Sequence, residues 1–370
     1  MKALTYHGRR DVRVESVPEP HLLAEDDLLL RVTATAICGS DLHIYRGRLP
    51  GMRSGDILGH EFMGIVEEVG PGVTRLERGD RVVVPFTISC GDCFFCTRRL
   101  LAACERSNDG RGTLMNRKRT RSGAAMFGYS HLYGGHAGGQ AEYVRVPRAN
   151  VGPLRIADST LRDEQVLFLS DILPTGYQAC LNARIGPGST VAIFGAGPVG
   201  MMAAACARWL GAQRLFMIDE DPRRLAHARE TCGATTLDFA SVDDPADLII
   251  GETDGRGVDA SIDAVGFEAK GSAIESALTR LRLQGSSGAV LRQAIAATRR
   301  GGVVSVPGVY AGFIHAFLFG DAFEKGLTLV GGQTHVQALM PVLLEAIASG
   351  GLVVDTLVSH RLPLSEAAAG

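Results

Sequence analysis

Four cysteines in one short stretch, Cys90, Cys93, Cys96 and Cys104, carry the most readable chemistry in this 370-residue chain. Their run, C-G-D-C-F-F-C with Cys104 soon after, brings four thiolates within reach of one tetrahedral zinc ion. A disulfide framework is the competing reading, and it belongs to small secreted domains with too little core. A chain with 46% apolar residues does not need such staples. Four cysteines leave a zinc no open position, so this site is expected to be structural, and any chemistry lies elsewhere.

A second constellation lies upstream. Cys38 sits in A-I-C-G-S-D-L-H and His60 in L-G-H-E-F-M-G, each beside glycine on an expected turn. Taken singly, Cys38 reads as a small buried hydrophobe and His60 as an ordinary turn histidine. Beside a closed cysteine site they read as ligands of a second zinc, of the catalytic kind that takes three protein ligands and keeps one position open. The residues alone leave the third ligand between Glu61, adjoining His60, and Asp171, far along the chain in F-L-S-D-I-L-P-T-G.

A third signal concerns a nucleotide. An apolar strand, Val191 to Phe194, runs through Gly195, Gly197, Pro198, Val199 and Gly200 into a helical pattern, giving G-x-G-x-x-G with strand before and helix after. The glycines allow the tight turn, the approach of backbone to a pyrophosphate and close helix–strand packing, while the helix N-terminus faces the anion. A second strand ends at Asp219, whose carboxylate suits the ribose hydroxyls of NAD and repels the 2′-phosphate of NADP. Arg223 and Arg224 follow it, and Arg224 is a candidate cofactor contact that could also favour the phosphate.

The elements that must position these residues divide in two. As far as about Ile156, short apolar runs alternate with Gly/Pro turns, for example L-L-L-R-V-T-A-T-A and M-G-I-V-E-E-V-G, as in all-β segments. From Ser159 a helical stretch leads into strand–helix units with strands at 191–194, 215–219, 260–263 and 303–307, which predict a parallel doubly wound sheet. The fold class is α/β. Cys180, Cys206 and Cys232 fall in helical or turn segments as packing residues, and 276–300 carries helical spacing.

The chain resembles the zinc-dependent medium-chain alcohol dehydrogenases, and within them the glutathione-independent formaldehyde dehydrogenase branch. The resemblance rests on C-G-S-D-x-H at 38–43, G-H-E at 59–61, the 69–82 run ending G-D-R-V, the four-cysteine lobe, G-G-Q-A-E-Y-V-R-V-P at 138–147 and G-A-G-P-V-G. It implies a GroES-like, β-rich catalytic domain made of 1–155 and 314–370, with a Rossmann NAD-binding domain, 156–313, between them and the two meeting at a cleft. It also implies a catalytic zinc on Cys38, His60 and Asp171, Asp171 standing where many relatives carry Cys, with Glu61 as an outer or alternate ligand. A carboxylate keeps the site's formal charge and donates less electron density than sulfur, so the zinc is expected to be a stronger Lewis acid. Ser40 matches the hydroxyl that contacts the substrate oxygen and His43 the outer end of a proton relay, with a cofactor ribose hydroxyl between them.

The activity implied by the resemblance is hydride transfer from a small alcohol or hydrated aldehyde to NAD, with two zinc ions per chain and a homo-oligomer, dimer or tetramer. A polyol or L-threonine dehydrogenase on the same scaffold is the alternative. A non-catalytic zinc- or cofactor-binding relative is another, opposed by the intact Cys38, Ser40, His43, His60 and Asp171. Relatives continue beyond the ending S-H-R-L-P-L-S-E-A-A-A-G through a helix and strand, so this end reads as short. The basic Gly-rich segment 107–139 reads as a solvated loop, and its aromatics Phe127, Tyr129 and Tyr133 as either packing or a substrate-channel wall. A net charge of −2 gives no electrostatic argument for nucleic acid or membrane binding. The sequence shows no signal-peptide core and no membrane-spanning run, and reduced thiolates favour the cytoplasm.

Overall fold

The computed structural model describes residues 1–108, 123–266, 287–310, 314 and 316–370. They divide into two compact units, Met1–Pro174 with Gln333–Gly370, and Thr175–Gly332.

The first unit is built on antiparallel pairing. Its five-stranded sheet runs Leu154–Arg155, Arg81–Val84, Phe62–Val69, Leu28–Thr35, Tyr143–Val146 in spatial order. Alternation sets its register: Leu28 pairs with Val146 and Leu30 with Val144, and all four side chains turn into the core with Phe62, Val82 and Val84. A smaller sheet orders Asp11–Ser16, Lys2–Gly8 and Asp56–Ile57.

The second unit is a six-stranded sheet in the order Thr235–Asp238, Arg214–Asp219, Thr190–Phe194, Val258–Asp263, Thr298–Val306, Thr328–Gly331. Every neighbouring pair is parallel. Its central strands are near-continuous apolar runs because helices cover the sheet, as the burial of Val191–Phe194 and Leu215–Ile218 shows. A Rossmann-type parallel sheet in one unit and a GroES-like β-rich fold in the other make up the predicted fold class.

The units divide later along the chain than positions 155 and 313. The stretch after Ile156 stays with the first unit because Asp163 accepts hydrogen bonds from Thr33 Oγ1 (2.6 Å) and Arg81 Nε (3.0 Å), and Phe86 N–H donates to Ser170 O (2.9 Å). Residues up to Gly332 stay with the second because Thr328–Gly331 is the sheet's last strand. The stretch expected to be helical over 276–300 lies partly outside the described residues; within them Ala289–Ala297 is helix and Thr298–Val306 strand. Cys180, Cys206 and Cys232 are buried on three helices of the second unit. Among the described residues no helix is long and apolar enough to cross a membrane.

Candidate metal and cofactor sites

Two tight turns, a pair of one-turn 3₁₀ helices at Cys96–Arg98 and Leu101–Ala103, and the backbone between them fold Cys90, Cys93, Cys96 and Cys104 onto one point. All four thiols are free, and their sulfurs lie within 4.8 Å of one another, with Cys90 Sγ 3.9 Å from Cys96 Sγ. Four Zn–S bonds of about 2.3 Å in a tetrahedron place sulfurs about 3.8 Å apart, so the cluster has the size of a zinc site. Burial opposes ionisation of Cys93, yet the backbone of Glu105 and Cys96 brings it down to about 6, while burial pushes Cys90 up to about 11. Four crowded thiols cannot all ionise without a cation to hold them. The helix Val336–Ala348 and its N-terminal flank brace the lobe: Ala102 N–H donates to His335 Nδ1 (3.2 Å), Gln337 Nε2 to Thr87 O (2.7 Å) and Arg99 Nη2 to Ala338 O (2.9 Å).

The second cluster joins three distant parts of the first unit. Cys38 caps the short helix Gly39–Tyr45, His60 and Glu61 precede the strand Phe62–Val69, and Asp171 follows the 3₁₀ turn Leu167–Ser170. One ligand atom from each of the four lies within 4.8 Å of the others. His60 Nε2 is 3.3 Å from Asp171 Oδ2 and 3.9 Å from Glu61 Oε1. Both ring nitrogens of His60 and both carboxylate oxygens of Glu61 are buried without a hydrogen-bond partner. Buried polar atoms are almost always paired, so the orphaned His60 Nε2 and Glu61 oxygens, gathered beside Asp171, fit a cation that they would share, while His60 Nδ1 faces Asp41.

The electrostatics say the same. Burial, Glu61 and Asp171 together push the Cys38 thiol up to about 12. Burial first, then Asp171, pushes Glu61 up to about 8. Burial works against a proton on His60, but Asp41, Asp171 and Cys38 outweigh it and hold the imidazole well above its ordinary value. A thiol, an imidazole and two carboxylates thus crowd into a dry site that favours added positive charge, and the mixed N, S and O donors suit zinc.

Sequence reading did not single out Asp41. Its Oδ2 accepts the Cys38 N–H (2.8 Å), and its Oδ1 stands 3.5 Å from His60 Nδ1. The signal was present in C-G-S-D, which places an acid three residues after the helix cap. Ser40 and His43 lie on that same helix three residues apart, hence on one face, and both are partly exposed. Two aromatic rings meet the His60 imidazole edge-on, Phe86 at 6.4 Å and Tyr129 at 6.2 Å between centroids.

In the second unit the strand Thr190–Phe194 turns at Gly195 (φ +99°) into the helix Pro198–Trp209, with Gly197 as cap and Pro198 opening the first turn. A Cβ on Gly200 would stand 1.8 Å from the Gly195 carbonyl oxygen, so only glycine lets helix and strand approach this closely. Asp219 Oδ2 accepts the Ala196 N–H (2.7 Å), and its Oδ1 accepts those of Glu220 (2.8 Å) and Asp221 (2.9 Å). The carboxylate therefore ties the end of its own strand to the glycine turn, with Arg224 Nη1 3.8 Å away.

Residues 24–156 match the family profile described as alcohol dehydrogenase GroES-like domain, and residues 198–287 match zinc-binding dehydrogenase. The chain is 41% identical over 371 residues to the uncharacterized zinc-type alcohol dehydrogenase-like protein AdhB of Bacillus subtilis, covering 100% of this chain and 95% of that protein. It is 37% identical to the glutathione-independent formaldehyde dehydrogenase of Pseudomonas aeruginosa, over 94% of this chain and 87% of that protein. Among solved structures it is similar to the alcohol dehydrogenase of Thermus sp. ATN1, with a TM-score of 0.84, 36% identity and coverage of 100% and 95% of the two chains.

Proposed function

This chain belongs to the zinc-type medium-chain alcohol dehydrogenases, and from that premise we propose that it oxidises a small alcohol or a hydrated aldehyde such as formaldehyde with NAD. The observation that carries the reading is the dry Cys38–His60–Glu61–Asp171 cluster beside a helix that presents Ser40 and His43. Cys38, His60 and Asp171 hold one zinc, with Glu61 as outer or alternate ligand, and Cys90, Cys93, Cys96 and Cys104 hold the other. Bound at the first site, zinc supplies a Lewis acid for the substrate oxygen, and bound NAD supplies the hydride acceptor.

The chain's own residues do the rest. Ser40 takes up the proton that leaves the substrate hydroxyl, and His43, on the same helix face, passes it towards solvent. Phe86 and Tyr129 wall the site with apolar ring surface and keep bulk water from the reacting carbon. The Gly195–Gly200 turn and the N-terminus of Pro198–Trp209 receive the pyrophosphate, Asp219 the adenine ribose, and Arg224 flanks it. Asp219 disfavours a 2′-phosphate, which selects NAD.

The test is the initial rate of NADH formation by zinc-replete enzyme with formaldehyde, ethanol, sorbitol and L-threonine, no thiol being added. A formaldehyde rate well above the others supports the reading. Turnover of sorbitol or L-threonine alone keeps the zinc chemistry and replaces the substrate. Inertness towards all four with two zinc ions bound rejects the reading.

A further inference from the structure

Three aromatics, Phe127, Tyr129 and Tyr133, carry competing readings as packing or as site wall, and the structure separates them. Phe127 is 1% exposed and packs edge-on against Phe62 at 5.2 Å within the core of the first unit. Tyr129 instead stands edge-on to His60 at 6.2 Å and 77°, and Tyr133 meets its ring at 5.5 Å and 70°. The phenol of Tyr129 makes no hydrogen bond among the described residues. A phenol can donate as well as accept a hydrogen bond. Tyr129 is only partly buried, so its hydroxyl is open to a ligand entering beside His60 and can offer its proton to it.

An alcohol brings one oxygen on its reacting carbon and a hydrated aldehyde brings two. In the dehydrogenase reading, on which this inference rests, the cluster of Cys38, His60 and Asp171 accounts for one oxygen only. We infer that the Tyr129 hydroxyl donates a hydrogen bond to the second hydroxyl of a hydrated aldehyde, making Tyr129 the residue that selects aldehyde hydrates over simple alcohols. The step balances as R–CH(OH)₂ plus NAD⁺ giving R–COOH, NADH and H⁺. The C–H bond breaks with its electron pair going to the nicotinamide, a C=O bond forms at the same carbon, and the proton leaves from the oxygen that Ser40 serves. Tyr129 keeps its own proton throughout. Sites that hydrogen-bond a substrate hydroxyl discriminate strongly against analogues lacking it, because the site's polar group is then left unpaired.

The test compares wild type with Tyr129→Phe, which keeps the ring contact on His60 and removes the hydroxyl. Zinc content and circular dichroism establish that the variant is folded and loaded. The ratio of kcat/KM for formaldehyde to that for ethanol is expected to fall about tenfold or more. A readout without turnover uses formate, whose two oxygens match those of the diol; its Kd by calorimetry is expected to rise about tenfold in the variant. An unchanged ratio, or an equal fall with both substrates, overturns the inference, as does an unchanged formate Kd. Wild type that oxidises ethanol but not formaldehyde also overturns it and leaves the dehydrogenase reading standing. Wild type inert to both overturns the reading beneath it, and the inference with it.

Discussion

Asp41 holds two segments of the Cys38–His60 cluster at once: one carboxylate oxygen accepts the Cys38 N–H at 2.8 Å, and the other faces His60 Nδ1 at 3.5 Å. The carboxylate is buried, so neither contact is diluted by water. Such a group fixes the imidazole's orientation and presents its far nitrogen, Nε2, towards Asp171 and Glu61. Asp41→Asn keeps the size and removes the charge. Zinc affinity at this site is expected to drop about 10- to 100-fold, measured by competition with a chromogenic chelator, while the four-cysteine site keeps its metal.

In the proposed ligand set Asp171 supplies an oxygen donor beside the sulfur of Cys38 and the nitrogen of His60. Asp171→Asn removes an anionic ligand and is expected to cost at least about tenfold in zinc affinity and most of the activity. Asp171→Cys restores a charged ligand that donates more electron density, so the zinc polarises a substrate hydroxyl less. The acid limb of kcat/KM is then expected to move to higher pH in a metal-loaded Asp171→Cys enzyme. Unchanged zinc content and activity in Asp171→Asn would remove Asp171 from the ligand set.

Much of this site was legible because its chemistry sits in short motifs. C-G-S-D, G-H-E and the four cysteines each fix two or more residues within one turn of chain, and the Gly195–Gly200 turn declares itself by strand before and helix after. Spacing could not supply long-range closure. Asp171 lies 111 positions after His60, and nothing local distinguishes it from Glu61 as a ligand; only the fold of 167–171 against the sheet brings it there. Asp41 was hidden in plain sight as an ordinary helix-cap acid. The split of the aromatics was equally illegible, since Phe127 and Tyr129 are two apart and only tertiary packing sends one to the core and the other to the site.

Gly200 tests the nucleotide turn without touching its charges. An added methyl meets the Gly195 carbonyl oxygen at 1.8 Å, and backbone cannot step aside as a flexible side chain would. Gly200→Ala is therefore expected to weaken NAD binding at least about tenfold and to destabilise the unit by about 2 kcal/mol or more. Fluorescence titration of NADH and thermal unfolding measure the two effects separately.

The four-cysteine lobe is expected to behave as a folding element. Cys93→Ser should leave one zinc per chain in place of two and lower Tm by about 5 °C or more, because metal binding and folding of a small closed site are one process. In wild type, displacing that zinc with an organomercurial should consume four equivalents at this lobe, one S–Hg bond replacing each Zn–S bond.

His335 links that lobe to pH. Its Nδ1 accepts the Ala102 N–H at 3.2 Å, which only an unprotonated nitrogen can do, and burial lowers its pKa below the ordinary histidine value. His136 is likewise lowered by burial and by Arg145. A histidine whose folded pKa lies below its unfolded value binds fewer protons when folded, so stability rises with pH up to the unfolded value of about 6.5. Below that, the unfolded chain gains protons first, and the contribution is lost as pH falls through the folded pKa. The urea midpoint is therefore expected to drop between pH 7 and pH 5. The His335 share should stay below about 1 kcal/mol, since its half-exposed ring is screened by solvent. His335→Asn offers an oxygen acceptor that does not titrate in this range, and it should flatten that share of the pH dependence while His136 keeps its own. A slope identical in wild type and variant would show that the Ala102 contact does not respond to protonation.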